Sequence, residues 1–427
     1  MNIKEVLREE KLKVKPTEET IKELKNKVNE LILCLEKELK KQKVPADVFI
    51  GGSFAKGTLL KRKDYDIDVL IRFDWRLEKI SDILERIVNN TSKLLNKKTE
   101  KLHGSRDYFR IYDGEAIFEI IPVYKIKKPR EARNITDLSY FHVNYVKKKL
   151  KGKKIAEEIL LSKSFCKAQG VYGAESYING FSGYGLECLL INYGSFLKML
   201  KELVKVKIGE RIILDPGKHY KKKNDVLFSL NEARLQSPII LVDPTWKERN
   251  VLAALSRECF EKFSARAKDF LKNPSKKFFE TSQKDAEKIK EIAKKKKGEF
   301  LQVDIETNKQ EGDIAGTKMK KFSRFIESEL RRYFDVIERE FIYSEGQKAE
   351  FYLAVKPKKK IVIYGPPIEM KSHAISFKKK HKNSYIKKGK LYSEIKANFS
   401  ARDFLQKWAE KNKGKMNEMG IVGMRVD

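Results

Sequence analysis

Cysteine is scarce in this sequence. Its four residues, Cys34, Cys166, Cys188 and Cys259, lie far apart and make no CxxC pair, so neither a disulfide framework nor a zinc cluster is expected. No apolar run reaches the roughly 18 residues of a membrane span. The charged opening "MNIKEVLREEKLKVKPTEE" lacks the apolar segment of a secretion signal. A soluble, cytoplasmic protein with no membrane partner is therefore expected. No motif recurs at a fixed period, which sets aside repeat architectures. Negative charge is also in short supply: 60 Asp and Glu stand against 93 Lys and Arg, a formal net charge of +33 over 427 residues. A surface this positive seeks a polyanion, and nucleic acid is the first candidate. A hydrophobic fraction of 41% leaves ample material for cores, and the length suits two to four domains.

What is present falls into three portions. "PTEETIKELKNKVNELILCLEKELKKQ" predicts a helix capped by Thr17, with Leu24, Val28, Leu31, Leu35 and Leu39 on one face. "DVFIGGS" reads as a strand entering a glycine turn, and "YDIDVLIRF" as the next strand. "LEKISDILERIVNNTSKLL" reads as an amphipathic helix, and "DYFRIYDGEAIFEIIPVYKI" as a hairpin turning at Asp113-Gly114. From about Asn134 to Lys272 a helical period dominates, with "KHYKKKNDV" as an exposed basic loop. A lysine-rich stretch, Lys276 to Lys297, precedes a last portion of mixed pattern in which "EFLQVDIE", "FDVIEREFIY" and "AEFYLAVKP" read as strands.

The chemistry concentrates in "GGSFAKGTLLKRKDYDIDVLI", Gly51 to Ile71. Along a strand Asp66 and Asp68 share a face. Carboxylates held together repel unless they share a cation, and carboxylates with water and substrate phosphate are what Mg²⁺ prefers. Asp64 continues the alternation but lies nearer the loop. In "AIFEIIPVYKI", Glu119 is an acid inside an apolar strand, which needs a cation or a hydrogen-bonded partner. Gly51 and Gly52 let a ligand approach the backbone, Ser53 can open a short helix that attracts phosphate, and Lys56 adds a charged contact. Gly52 to Gly57 has the spacing of a P-loop, but Thr58 stands where that motif needs lysine, so a P-loop ATPase is rejected. A loop that holds a triphosphate, followed by carboxylates that hold two Mg²⁺ roughly 3.5–4 Å apart, describes nucleotidyl transfer.

The sequence here resembles the DNA polymerase beta-like nucleotidyltransferase superfamily, whose signature is a glycine-serine loop, a D-x-D strand and a third acid on a later strand. Within it, the chain is similar to the archaeal (class I) CCA-adding enzymes, the tRNA nucleotidyltransferases. Seven ordered blocks carry the resemblance: "GGSFAKGT" with "DYDIDVLI", "FEIIPVYKI", "TDLSYFHVNYV", "LLSKSFCKAQGVYGAE", "INGFSGYGLECLLINYGSF", "VDPTWKERNVLAALS" and "YGPPIEMKSHAISFKKKH". The resemblance implies that Asp66, Asp68 and Glu119 are catalytic metal carboxylates, although aspartate is usual at the third position. It implies that Gly52, Ser53, Lys56, Ser139, His142, Lys163 and Tyr172 hold the nucleotide's phosphates and sugar. Arg249 would read the base edge of CTP or ATP. Threonine is usual where Ser139 stands, and arginine is common where Lys56 stands.

The implied fold is α+β and multidomain. A nucleotidyltransferase head with a mixed sheet spans residues 1–138, a helical neck spans 139–275, and an α+β body and tail span 276–427, the tail roughly 315–395. The implied partners are tRNA, gripped at the acceptor stem and TΨC arm by the C-terminal portion, and the substrates CTP and ATP, with a homodimer as an allowed assembly. The lysine runs "GKHYKKKND", "EIAKKKKGEF", "AVKPKKK" and "SFKKKHKNSYIKKGK" suit a surface that binds RNA phosphates without reading sequence. The alternatives are a poly(A) polymerase or oligoadenylate synthetase of the same superfamily, which should lack the KERN and GPP blocks, and an inactive RNA-binding homologue, against which the intact acids argue.

Overall fold

The computed structural model describes the chain except residues 1, 153, 208, 281–284, 345 and 396–397. Residues 281–284 of the lysine-rich stretch thus lie outside the described residues. Contacts divide the chain into two units, Met1–Thr281 and Ser282–Asp427. Among the described residues no helix is long and apolar enough to cross a membrane.

The first unit opens with α1 (Ile3–Val14) and α2 (Glu18–Lys41). Thr17 caps α2, its hydroxyl accepting from the Thr20 N–H at 3.1 Å, and Leu24, Val28, Leu31, Leu35 and Leu39 are buried along one stripe. There follow β1 (Ala46–Ile50), α3 (Gly52–Lys56), β2 (Tyr65–Phe73), α4 (Ile80–Leu95), β3 (Lys98–Leu102), β4 (Tyr108–Asp113) and β5 (Ala116–Tyr124). The strands form one mixed sheet in the order β1-β2-β5-β4-β3. Within it β2 and β5 run parallel and the other neighbours antiparallel. The stripe of α2 and Leu84 and Ile87 of α4 share a core with Tyr65, Ile67, Val69, Ile71 and Phe73 of β2. Period two therefore turns Asp66 and Asp68 away from that core.

A second core packs Tyr145 of α5 (Ser139–Leu150), Phe165 of α6 (Ile155–Ala168), Leu186 and Leu190 of α7 (Gly183–Tyr193) and Phe196 of α8 (Phe196–Leu203) with Phe181, Phe263 and Phe270. Val6 of α1 is buried in this core, while Val14 of the same helix packs with Leu60 and Leu160. The neck also carries a sheet that the helical period hid. Strands β6 (Ile212–Leu214), β7 (Ile239–Asp243) and β8 (Trp246–Asn250) pair in sequence order, with α9 (Lys223–Ser229) and α10 (Glu232–Leu235) between the first two. Arg249 thus stands on a strand. Val251, Leu252 and Leu255 continue the apolar spacing through a turn, and α11 (Arg257–Lys272) begins only where Ser256 accepts from the Cys259 N–H at 3.1 Å. The basic loop ends early for a similar reason: α9 starts inside it at Lys223.

The second unit holds α12 (Asp285–Lys295), β9 (Glu299–Glu306), α13 (Asp313–Leu330), β10 (Phe334–Tyr343), β11 (Lys348–Pro357), β12 (Ile361–Pro367), α14 (Lys371–Lys380), β13 (Ser384–Lys387), β14 (Lys390–Ile395), α15 (Ala401–Lys411) and β15 (Gly423–Val426). A four-stranded antiparallel sheet, β10-β11-β9-β15, packs Leu301, Val303 and Leu353 against Phe322, Ile326 and Leu405. A separate three-stranded sheet, β12-β14-β13, carries the GPP block. There a Cβ on Gly365 would sit 2.9 Å from both Leu391 and Phe377, so glycine lets β12 lie close to α14 and β14. This small sheet with its helix covers 361–395. Within the expected tail of 315–395, β10 and β11 belong to the larger sheet and α13 packs on it.

Candidate active site

The glycine loop and the acidic strand meet at one point. Gly51 donates its N–H to the Asp68 carbonyl at 2.8 Å, and α3 starts at once. Gly52 has φ +59, and a Cβ placed on it would fall 1.6 Å from Asp68 Oδ2. Glycine is needed there twice over, for its backbone angle and for the carboxylate lying across its Cα. Gly52→Ala is therefore expected to displace Asp68. The prediction is a stability loss of about 1–3 kcal/mol and a fall of about a hundredfold in any activity that uses Asp68, the loss an ångström's misplacement can cause. Denaturant melts and single-turnover assays check it, and near-native values in both would refute this packing.

The sheet register supplies the third acid. Asp68 on β2 lies opposite Glu119 on β5, and Glu119 in turn lies opposite Arg110 on β4. Arg110 donates from Nε and Nη2 to Glu119 Oε1 at 2.9 and 2.7 Å. Exposed Asp66 pairs with Arg62 at 3.3 Å. Burial pushes the Asp68 carboxyl up to about 6, aided by the charges of Glu119 and Asp66 and opposed by Lys56. The three carboxylates thus share one patch of the sheet. They are not preassembled as a metal cage: among the described residues no group of three such side chains stands ready to hold an ion. Glu119 is held by the guanidinium of Arg110, which no sequence motif marked.

The two lysines of the expected triphosphate site converge on an acid that the motifs did not single out. Glu187, in the buried run of α7, is fully buried. Its Oε2 accepts from Lys56 Nζ at 2.6 Å, and its Oε1 accepts from Lys163 Nζ at 2.9 Å and from the Thr58 hydroxyl at 2.7 Å. Lys163 also donates to the Thr58 carbonyl and hydroxyl oxygens at 3.2 and 3.1 Å. An ammonium has three protons, so all three of Lys163 are engaged within the protein. Lys56 donates to Glu187 alone among the described residues and keeps protons for a ligand. Burial opposes ionisation of Glu187, but the charges of Lys163 and Lys56 outweigh it and hold the carboxyl down at about 2.

A second convergence lies at Asp243, which ends β7. His142 Nε2 and Arg249 Nη1 approach its Oδ2 at 3.1 and 2.7 Å. Its Oδ1 accepts from the Tyr184 hydroxyl at 3.1 Å and from the Thr245 N–H and hydroxyl, each at 2.8 Å. The rings of His142 and Tyr184 stack with centroids 4.0 Å apart. Ser139 opens α5 one turn before His142. Tyr172 sits under the Lys167 ammonium at 4.9 Å, its hydroxyl so near Gly183 that a Cβ there would be 2.9 Å away. The structure therefore places Gly52, Asp68 and Glu119 together on the sheet, Lys56 and Lys163 on Glu187, and His142 and Arg249 on Asp243.

Residues 32–139 match the family model of the nucleotidyltransferase domain, and residues 157–280 match that of the second domain of tRNA nucleotidyltransferase. The chain is 35% identical to the CCA-adding enzyme of Nanoarchaeum equitans, over 85% of this chain and 87% of that one. The chain belongs to the CCA-adding enzyme family. The Methanocaldococcus jannaschii CCA-adding enzyme is 30% identical over 94% of this chain and 89% of its own. Solved structures agree in fold: a cytoplasmic RNA terminal U-transferase superposes with a TM-score of 0.51 at 14% identity, covering 65% of this chain and 98% of that one. The poly(U) polymerase Cid1, with Mg and 3′-dATP bound, gives the same score at 13% identity, with the same shares covered. In this member of the CCA-adding family, the head match contains the glycine loop with all three acids, and the second-domain match contains Lys163, Tyr172, Glu187, Asp243 and Arg249.

Proposed function

We propose that this protein is a template-independent nucleotidyltransferase that builds and repairs the 3′-terminal CCA of tRNA from CTP and ATP, releasing pyrophosphate. The observation that carries the reading is the placement of Asp68 against Gly52 and beside Glu119, in a chain alike over most of its length to CCA-adding enzymes. In the reaction the terminal 3′ hydroxyl of the RNA loses its proton to solvent as its oxygen bonds to the α-phosphorus, the bond from that phosphorus to the bridging oxygen breaks, and pyrophosphate leaves with the electron pair.

Asp66, Asp68 and Glu119 are the residues that would hold two Mg²⁺. Their chemistry suits the ions, since the charges of Glu119 and Asp66 raise the Asp68 pKa and a shared divalent cation would relieve that repulsion. Two Mg²⁺ held by these residues would acidify the attacking hydroxyl and neutralise charge on the leaving group. The chain's own residues bind and orient. The loop from Gly52 to Ser53 offers close backbone approach, and Lys56 offers ammonium protons to the triphosphate. His142, Ser139 and Tyr172 line the phosphate and sugar. Lys163 would touch phosphate only by exchanging Thr58 or Glu187 for it. Arg249 reads the base edge, because its planar fork can serve acceptors on either C or A. In the second unit, the small sheet and its helix expose Lys378, Lys379, Lys380, Lys387 and Lys388, cations suited to RNA phosphates.

The test is a tRNA transcript ending before CCA, incubated with the protein, Mg²⁺, CTP and ATP, with product ends sequenced. Addition of C, C and A and then arrest is expected. Tailing of generic RNA with ATP alone, or oligo(U) addition when UTP is supplied, would overturn the reading.

A further inference from the structure

Asp243 follows the fully buried run Ile239–Val242 and is itself fully buried. Five donors reach its carboxylate, divided by oxygen. Tyr184 and the two donors of Thr245 take Oδ1, all from within the protein wall. His142 and Arg249 take Oδ2. One oxygen is an anchor, and the other faces two residues of the nucleotide site. We infer that Asp243 is a positioning residue for nucleotide selection: it fixes the Arg249 guanidinium and the His142 imidazole in one orientation, so that the base meets a rigid donor pattern. The inference rests on the reading of Arg249 as the residue that meets the base.

Three observations support it. Arginine carries about 2 kcal/mol of rotamer entropy, and a mobile fork would bond to any base, whereas rejection by mismatched donors and acceptors needs a fixed one. The 2.7 Å contact from Arg249 Nη1 to a pinned, buried carboxylate provides that constraint. Next, the contact is one-sided. Arginine–carboxylate pairs frequently present both arms to the carboxylate. Here Nη1 is engaged, Nε and Nη2 donate to none of the described residues, and the side chain is 17% exposed, which leaves part of the fork for a ligand. Finally, Asp243 holds the wall as well as the fork, since the Tyr184 ring stacked on His142 donates its hydroxyl to the same carboxylate. Burial works against the charge of Asp243, but the hydrogen bond from His142, the Arg249 charge and the Thr245 N–H keep the group ionised, well below the usual carboxylate range.

The test uses the full chain with tRNA ending before CCA, and reads kcat/KM for CTP against UTP at the first addition and for ATP against GTP at the last. Asp243→Asn keeps the shape but turns an amide N–H toward donors on one side or the other. It is expected to lower both preferences about 10- to 100-fold. Arg249→Ala should lower them as well, and the double variant should be no less selective than Arg249→Ala alone, because both changes act through one fork. A proportional fall for all four nucleotides in Asp243→Asn, with preferences unchanged, would mark a merely structural residue and overturn the inference. Should the Asn variant fail to fold in a thermal melt, Thr245→Val removes a single Oδ1 donor while the carboxylate stays; a preference lowered severalfold supports the inference and an unchanged one overturns it. Full preference in Arg249→Ala would overturn the base-reading role itself, and that outcome is separable because this variant leaves Asp243 in place.

Discussion

Asp68→Asn should abolish nucleotide addition and at the same time make the metal-free protein more stable. The loss follows from its place in the reaction, where one carboxylate is pressed against the glycine loop and lies in register with the third acid. Electrostatic stabilisation of a transferring phosphoryl group is commonly worth 10³-fold or more, so a drop of at least about 10³ is expected. The gain follows from its environment. Asp68 titrates at about 6 in the folded chain against an ordinary value of 3.8, because burial and the neighbouring acids disfavour its charge. A folded-state pKa above the unfolded value means that the folded state binds the proton more tightly. The penalty is absent below about pH 4, grows between pH 4 and 6, and is complete above that. At pH 7.5 a neutral Asn removes it, with a gain on the order of 1–2 kcal/mol. Mg²⁺ should raise the melting temperature of the native chain and leave that of the variant nearly unchanged. It should also bind the native chain more weakly as pH falls below 6, where protons compete for Asp68. Lower stability in Asp68→Asn without metal would show that this carboxylate is not held against its neighbours' charge.

Much of the head was legible in the sequence because local signals agreed with one another. The Thr17 cap, the stripe of α2, the glycine turn and the alternation of β2 each rest on near neighbours in the chain. The hairpin turn at Asp113-Gly114 also fixes a register. Counting back from that turn places Arg110 opposite Glu119, so the partner of the third acid was readable from the sequence. Glu187 and Asp243 were readable by the same physics as Glu119, because an acid within or closing an apolar run must be paired. "GLECLLINY" and "IILVD" both fit that description. What periodicity could not give was which distant groups would do the pairing, since Lys56 and Lys163 lie 131 and 24 residues from Glu187. The neck sheet was hidden for a different reason. A fully buried strand such as Ile239–Val242 has no alternation, and its apolar run looks the same as a stretch of buried helix.

Glu187→Ala should unfold the first unit more readily than any surface change, by about 3–5 kcal/mol, because it strands buried cations. The cluster joins two cores: Lys56 and Thr58 follow the glycine loop of the head, while Lys163 and Glu187 come from α6 and α7 of the neck. The side chains of Lys56, Lys163 and Glu187 are 9%, 3% and 0% exposed, so water cannot take over the lost bonds. Glu187→Gln keeps an acceptor and should cost less, about 1.5–3 kcal/mol, the range for hydrogen bonds to a charged group. The pH dependence separates charge from packing. Glu187 is held down at about 2 against an ordinary value of 4.5. Its contribution is therefore complete above about pH 4.5 and is lost as pH falls toward 2. The stability difference between the native chain and Glu187→Gln, taken from urea melts, should shrink across that window. A difference that stays constant down to about pH 2.5 would mean that the carboxylate's charge contributes nothing. The same variant bears on catalysis. With Glu187 neutral, Lys56 loses its buried counter-charge and should attract the triphosphate more strongly. A lower KM for CTP alongside a lower kcat is then expected, and a raised KM would place the role of Glu187 in holding Lys56 in position rather than in moderating its charge.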